Sequence, residues 1–193
     1  MKTVVITHQK GGVGKTTLTA WLGATWAAQG LRVHLLDHDP QATLLRHPPT
    51  GVQVSTATKS LNSDIDLLLC DTPPYLRDEL SWLLLSADLI LIPLKASPLD
   101  IEAAASTLEL IEREDVKVPV RFILNMVRPG RIADETLQAL EVYNHPVCAT
   151  LVPERVAYVR GMLDGHLADR GAAQIIEQLV EELNTILYGG EKK

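Results

Sequence analysis

The stretch HQKGGVGKTT, residues 8–17, follows the β-branched run TVVIT and opens a helical pattern that Gly30 closes. A strand that runs through a glycine loop into a helix narrows the fold sharply. Parallel strands need crossovers of a dozen or more residues, and helical crossovers cover the sheet on both faces. The rest of the chain repeats that alternation. Apolar runs at 32–37, 52–56, 65–71, 89–93, 118–125 and 148–152 join residues 3–8 as predicted strands, several of them apolar on both faces. Helical patterns at 15–29, 78–86, 99–113, 133–143, 155–164 and 172–187 lie between and after them. In the last, Ile175, Ile176, Leu179, Val180, Leu183, Ile186 and Leu187 form one stripe opposite Glu177, Glu181 and Glu182. The expected fold class is α/β: one domain over residues 1–188 with a mostly parallel central sheet of about seven strands flanked by helices, and a flexible tail at 189–193.

Between a strand and a helix, the pattern G-x-x-x-x-G-K-[ST] turns backbone N–H groups and a helix N-terminus toward a phosphate. Gly14, Lys15 and Thr16 complete that pattern, with Lys15 aimed at the β- and γ-phosphates and the Thr16 hydroxyl at Mg²⁺. Gln9 stands where the first glycine belongs, so the loop is a deviant form of the P-loop NTPase signature. Glycine turns alone account for Gly11, Gly12 and Gly14 but not for Lys15, Thr16 and Thr17. A second lysine, Lys10, has no place in a simple phosphate cradle, and an idle cation beside Lys15 is unfavourable unless a phosphate is shared.

Carboxylates gather where an open parallel sheet presents ligand-contacting residues, at the carboxyl ends of strands. Asp37 and Asp39 end the second predicted strand, and Asp71 ends the apolar run 65–70. Asp39 precedes Pro40, which also suits a turn. His38 between two carboxylates is read as a loop residue, because Mg²⁺ prefers oxygen. Asp64 and Asp66 are expected to cap or solvate the start of their strand.

The formal net charge of −6 argues against a surface that coats nucleic acid everywhere, while leaving room for a local basic patch. There is no run of about 18 apolar residues. The start of the chain lacks an export-type apolar segment, which gives a cytoplasmic expectation. Cys70 and Cys148 sit in apolar runs without CxxC spacing and read as buried thiols.

KGGVGKTT, LLDHDPQ at 35–41 and DLLLCDTPP at 66–74 together resemble the ParA/MinD family of deviant Walker ATPases. DLILIPLKASPLD at 88–100 and VPERVAYVRGMLDG at 152–165 extend the likeness over essentially the whole chain, toward the small ParF-type plasmid partition ATPases. The resemblance implies an ATPase with ATP and Mg²⁺ as cofactors, and a homodimer closed around two ATP molecules in which Lys10 reaches the partner's phosphates. Such a lysine works as an arginine finger does, in trans. It further implies that Gly11, Gly12, Val13, Gly14, Lys15, Thr16 and Thr17 bind nucleotide, and that Asp39 orients or deprotonates the attacking water. Asp37 is implied in the Mg²⁺ shell or in support of the switch backbone, and Asp71 holds Mg²⁺ as the Walker B acid. Thr72, Pro73 and Pro74 form the γ-phosphate switch, while Asn125 and Pro153 meet the adenine edge.

Among the family's occupations, membrane attachment is disfavoured by the acidic polar face of the last helix. A shared iron–sulfur cluster is excluded by the position of Cys70 inside a strand. No N-terminal helix-turn-helix precedes the first strand, so specific operator binding is not expected. What the resemblance implies is a partition or positioning ATPase that binds nucleoid DNA without sequence preference through Arg155, Arg160 and Arg170, with Arg128 and Arg131 next in line. A ParB-like adaptor releases it by stimulating hydrolysis. Each arginine also suits an ordinary solvated surface. The cargo is open between a plasmid, a chromosome region and a protein body such as a carboxysome or chemoreceptor cluster. A metabolic ATP-dependent ligase on the same fold is the alternative of another class.

Overall fold

The computed structural model describes residues 1–56, 64–74 and 81–189. Strand β1 (Lys2–Ile6) leads through the glycine loop into helix α1 (Lys15–Ala28), and β2 (Val33–Asp37) follows. A one-turn helix α2 (Thr43–Arg46) precedes β3 (Gln53–Ser55) and β4 (Leu67–Asp71). The remaining elements are α3 (Ser81–Leu85), β5 (Leu89–Leu94), α4 (Pro98–Arg113), β6 (Val120–Leu124), α5 (Ile132–Leu140), α6 (Val156–Asp164) and α7 (Arg170–Tyr188). The first residues of the predicted helix 78–86, and 190–193 of the predicted tail, lie outside the described residues.

Among the described residues all strand pairings are parallel, in the order β3-β2-β4-β1-β5-β6. The chain leaves β1 toward one side and fills the other only after β4, so the loop after β1 opens at the switch point where such sheets hold ligands. Alternation along each strand divides the core into two layers. Val4, Ile6, Leu35, Leu67, Leu69, Leu89 and Leu91 pack against α1, α6 and α7. Val5, Leu36, Leu68, Cys70, Ile90 and Ile92 pack on the other face with α3 and α4. Cys70 and Cys148 are buried free thiols, each pushed up to about 12 mainly by burial.

Helix α7 buries the predicted stripe at Ile176, Leu179, Val180, Leu183 and Leu187 and leaves Glu177 and Glu181 exposed. Glu182 has a structural task. Its carboxylate accepts the N–H groups of Ala149 (2.7 Å) and Thr150 (3.1 Å). Those amides are therefore withdrawn from the sheet, and the predicted seventh strand at 148–152 does not form. The segment still donates the Cys148 and Val152 N–H groups to the Phe122 and Leu124 carbonyls of β6 (2.8 and 3.0 Å), and isolated parallel bridges flank it, Phe122 with Val147 and Val127 with Pro153. Among the described residues the sheet has six strands. At the start of β4, Asp66 accepts from the backbone N–H of Arg32 (2.9 Å) and from its guanidinium (2.7 and 2.9 Å), with Asp64 alongside at 3.2 Å. The two carboxylates thus anchor the entry of β2 as well as their own strand.

Candidate functional site

The glycine loop wraps over the end of β1. Gly12 and Gly14 both have positive φ, 72° and 93°. At Gly14 a Cβ would collide with the Asn125 amide, so this position demands glycine for conformation and for space together. Asn125 follows β6, is buried, and donates its Nδ2 to the Val13 carbonyl at 2.8 Å. Its side chain therefore clamps the loop from the far edge of the sheet. With Pro153 and Thr17 it also lines a cavity of about 170 Å³ whose apolar walls include Trp21, Met126 and Val156. The Trp21 indole N–H is tied to the Tyr158 carbonyl at 3.0 Å, which fixes α1 against α6 beside this cavity. The size and apolar lining suit one face of a flat heterocycle.

Lys15 is buried, and its ammonium donates to the carbonyls of His8 (3.2 Å) and Lys10 (3.0 Å). Burial lowers its pKa, against the pull of Asp71 and Asp39. Asp71 is fully buried at the end of β4, and among the described residues neither carboxylate oxygen has a hydrogen-bond partner. Burial pushes it up to about 7, while the Thr16 hydroxyl beside it pulls the other way without completing a bond. An orphaned carboxylate next to a threonine hydroxyl and a lysine is an oxygen-rich place for a hard divalent cation, and these residues fit Mg²⁺. Both Asp37 oxygens take up backbone N–H groups of the turn that follows β2. One oxygen accepts from the Asp39 N–H (3.1 Å) and the other from those of Leu44 (3.0 Å) and Leu45 (3.2 Å), fastening the 38–45 turn to β2. Asp39 is half-buried on that turn and accepts the Gln41 N–H at 2.9 Å. Thr72 donates to the Ile6 carbonyl at 3.0 Å, and Pro74 faces Gly11.

His38 meets no metal cluster among the described residues; its ring packs edge-on against Trp82 with centroids 5.8 Å apart. Two residues without a role in the sequence reading belong to the site. His8 is buried, accepts the Lys10 N–H on Nδ1 at 3.0 Å, and is lowered to about 4, chiefly by burial and then by Lys15. Asp100, in the first turn of α4, binds the Lys10 ammonium at 2.6 Å. The arginines at 155, 160 and 170 are exposed, but Arg155 already faces Asp169 at 3.6 Å, and Arg128 pairs with Glu154.

Asp71 and His8 act on stability in opposite senses. A raised carboxyl pKa gives a contribution that is complete below about 3.8 and is lost as pH rises through about 7. A lowered imidazole pKa gives one that is complete above about 6.5 and is lost as pH falls through about 4. Asp71→Asn is therefore expected to stabilise the nucleotide-free chain by about 1–3 kcal/mol at pH 8 and by less at pH 5. His8→Asn, whose amide oxygen can still accept the Lys10 N–H, should reduce the loss of stability between pH 6.5 and 4. Denaturant melts of both variants across that range separate the two contributions.

A family profile, the CobQ/CobB/MinD/ParA nucleotide binding domain, matches residues 4–168. The chain belongs to this family. It is 30% identical to maintenance of carboxysome distribution protein A of Halothiobacillus neapolitanus, over 94% of this chain and 95% of that protein. It is 31% identical to protein ParA of Rhizobium radiobacter over 67% of each. A putative plasmid partition protein of Borrelia burgdorferi B31, solved bound to AMPPNP, shares the fold with a TM-score of 0.79 at 16% identity, covering 94% of this chain and 98% of that one.

Proposed function

We propose that the protein is an ATP-dependent partition or positioning ATPase whose ATP-bound dimer holds nucleoid DNA until an adaptor stimulates hydrolysis. One observation carries this reading: the loop holds two lysines in different employment, Lys15 over the loop carbonyls and Lys10 on Asp100. A cradle for one nucleotide needs only the first. In the proposed scheme the amides of residues 11–17 and Lys15 bind the phosphates, and the adenine enters the cavity of Asn125 and Pro153. Thr16 and Asp71 hold Mg²⁺, with Asp37 keeping the adjoining turn in place. Bound there, Mg²⁺ neutralises charge developing on the β- and γ-phosphate oxygens. Asp39 directs the attacking water, and Lys10 crosses to the partner's phosphates.

DNA contact is assigned to Arg155, Arg160 and Arg170, with the patch doubled by dimerisation. Binding should require ATP, ignore sequence and weaken with salt with a log-log slope of roughly −3 to −6, for about four to six phosphates contacted. Changing the three arginines to glutamate should abolish DNA retention and spare ATP-dependent dimerisation, as read by filter binding and light scattering. Should the unmodified chain hold no DNA at any salt with ATP and Mg²⁺ present, the nucleoid reading falls, and a metabolic role on the same fold gains.

Protein cargo is a second reading of the same cycle, favoured by the full-length likeness to a carboxysome distribution protein. On α6, Val156, Val159 and Leu163 are 64%, 64% and 72% exposed, more apolar surface than DNA contact calls for. A pull-down with DNA-free adaptor candidates distinguishes the two.

A further inference from the structure

Two runs of backbone lead side by side to the cavity of Asn125 and Pro153, and they cover the same distance with different numbers of residues. The Cys148 N–H bonds the Phe122 carbonyl at 2.8 Å, and the Val152 N–H bonds the Leu124 carbonyl at 3.0 Å. A regular parallel ladder advances equally on each side between such bonds. Here β6 advances from 122 to 124 while its neighbour advances from 148 to 152, so the neighbour carries a surplus pair of residues. Glu182 of α7 receives that surplus: one carboxylate oxygen accepts the Ala149 N–H (2.7 Å) and the other the Thr150 N–H (3.1 Å). The acid is itself held in place. Leu179 and Leu183 beside it on α7 are fully buried, and Asn184 accepts the Trp26 indole N–H at 2.7 Å, which ties α7 to α1. The bulge ends where the cavity begins. Val152, Pro153 and Glu154 line that cavity, and the Val127 N–H on the Val152 carbonyl and the Glu154 N–H on the Val127 carbonyl, each at 3.0 Å, return the chain to the β6 side.

We propose that Glu182 is a positioning residue for nucleotide binding: by holding two surplus residues out of the ladder, it sets the register that presents Val152 and Pro153 to the base. This role presupposes that the cavity takes the base of ATP, as proposed above. A strand repeats its faces every two residues, so a slip by two keeps Cys148, Thr150 and Val152 on one face and meets no penalty from alternation. The slipped form would give the Thr150 N–H to the Leu124 carbonyl and carry Pro153 roughly 6.5 Å past its present place, two strand residues along. The apolar pattern does not exclude that form. The carboxylate does, because it offers the two amides charge-assisted bonds roughly twice as strong as a neutral ladder bond. A residue on a helix behind the sheet thereby governs a contact it does not itself make.

Glu182→Ala is expected to bind ATP at least about tenfold more weakly than the unmodified chain, while inorganic tripolyphosphate, which meets the glycine loop and Lys15 but no base contact, binds within about twofold. Isothermal titration calorimetry with each probe in Mg²⁺ reads the split. Glu182→Gln, which keeps one acceptor oxygen, should lie between the two chains. If ATP and tripolyphosphate weaken together in Glu182→Ala, the residue is merely structural and the positioning role falls. In the unmodified chain the amides of Ala149 and Thr150, followed by NMR, should exchange with solvent at least about a hundredfold more slowly than in an unfolded peptide. Exchange at the unfolded-peptide rate would mean that Glu182 does not hold them, whether or not the variants fold. If the unmodified chain prefers ATP to tripolyphosphate and Glu182→Ala keeps that preference, the register role fails alone. If the unmodified chain binds ATP no better than tripolyphosphate, the cavity is not a base site, and the register role falls with that assignment.

Discussion

Lys15→Ala is expected to bind ATP at least ~100-fold more weakly while remaining folded. The ammonium is buried in the loop and now rests on two neutral carbonyls, those of His8 and Lys10. A phosphate offers the same ammonium charged acceptors, and charge-assisted bonds are worth about 1.5–3 kcal/mol each. Losing two of them costs about 3 kcal/mol or more, and 1.4 kcal/mol is tenfold in affinity. Folding is affected far less, because burying a lysine carries its own desolvation penalty, visible in its lowered pKa. Titration with a fluorescent ATP analogue, beside a thermal melt, checks both halves. An affinity within tenfold of the unmodified chain would remove Lys15 from the phosphate site.

The parts of this site that are close in sequence were legible before the structure. Residues 10–17 carry their spacing with them, and an acid at the end of an apolar strand advertises itself at Asp37 and Asp71. The alternation of apolar runs located the strands that form the sheet. What stayed hidden depends on contacts between distant segments. Asp100 reads as an ordinary acid in the first turn of a helix, favoured there by the macrodipole. Only the fold brings it to Lys10, 90 residues away. His8 reads as the end of a strand, and its acceptor role appears only when the loop turns the Lys10 N–H back onto it. The seventh strand was misread for the same reason. Local pattern favours it, but Glu182, more than thirty residues on, captures two of its amides. In α6 the arginines were visible, while the pairing of Arg155 with Asp169 and the exposed apolar stripe were not. Charge alone, read along a sequence, does not say which cations remain unpaired.

Asp39→Ala and Lys10→Ala should part company although both stop hydrolysis. Asp39 sits on a turn that Asp37 fastens to β2 through three backbone N–H groups, so its carboxylate can be removed without loosening that turn. A positioned base contributes typically 10²–10⁴-fold, and Asp39→Ala is expected to lose activity on the order of 10²–10³-fold while still binding ATP. With the phosphates uncleaved and Lys10 intact, that variant should persist as an ATP-bound dimer visible by light scattering. Lys10→Ala removes a cation from outside the subunit's own cradle, where Lys15 remains, so ADP binding should change less than about threefold. Its stimulated hydrolysis should fall on the order of 10³-fold, the lower range for an arginine finger supplied in trans. In the double variant the trapped dimer should disappear, because in the proposed scheme the Asp39→Ala dimer depends on the partner's Lys10. A double variant that scatters light as the Asp39→Ala dimer does would mean that Lys10 never leaves its own subunit, and Lys10→Ala with normal adaptor-stimulated turnover would mean the same.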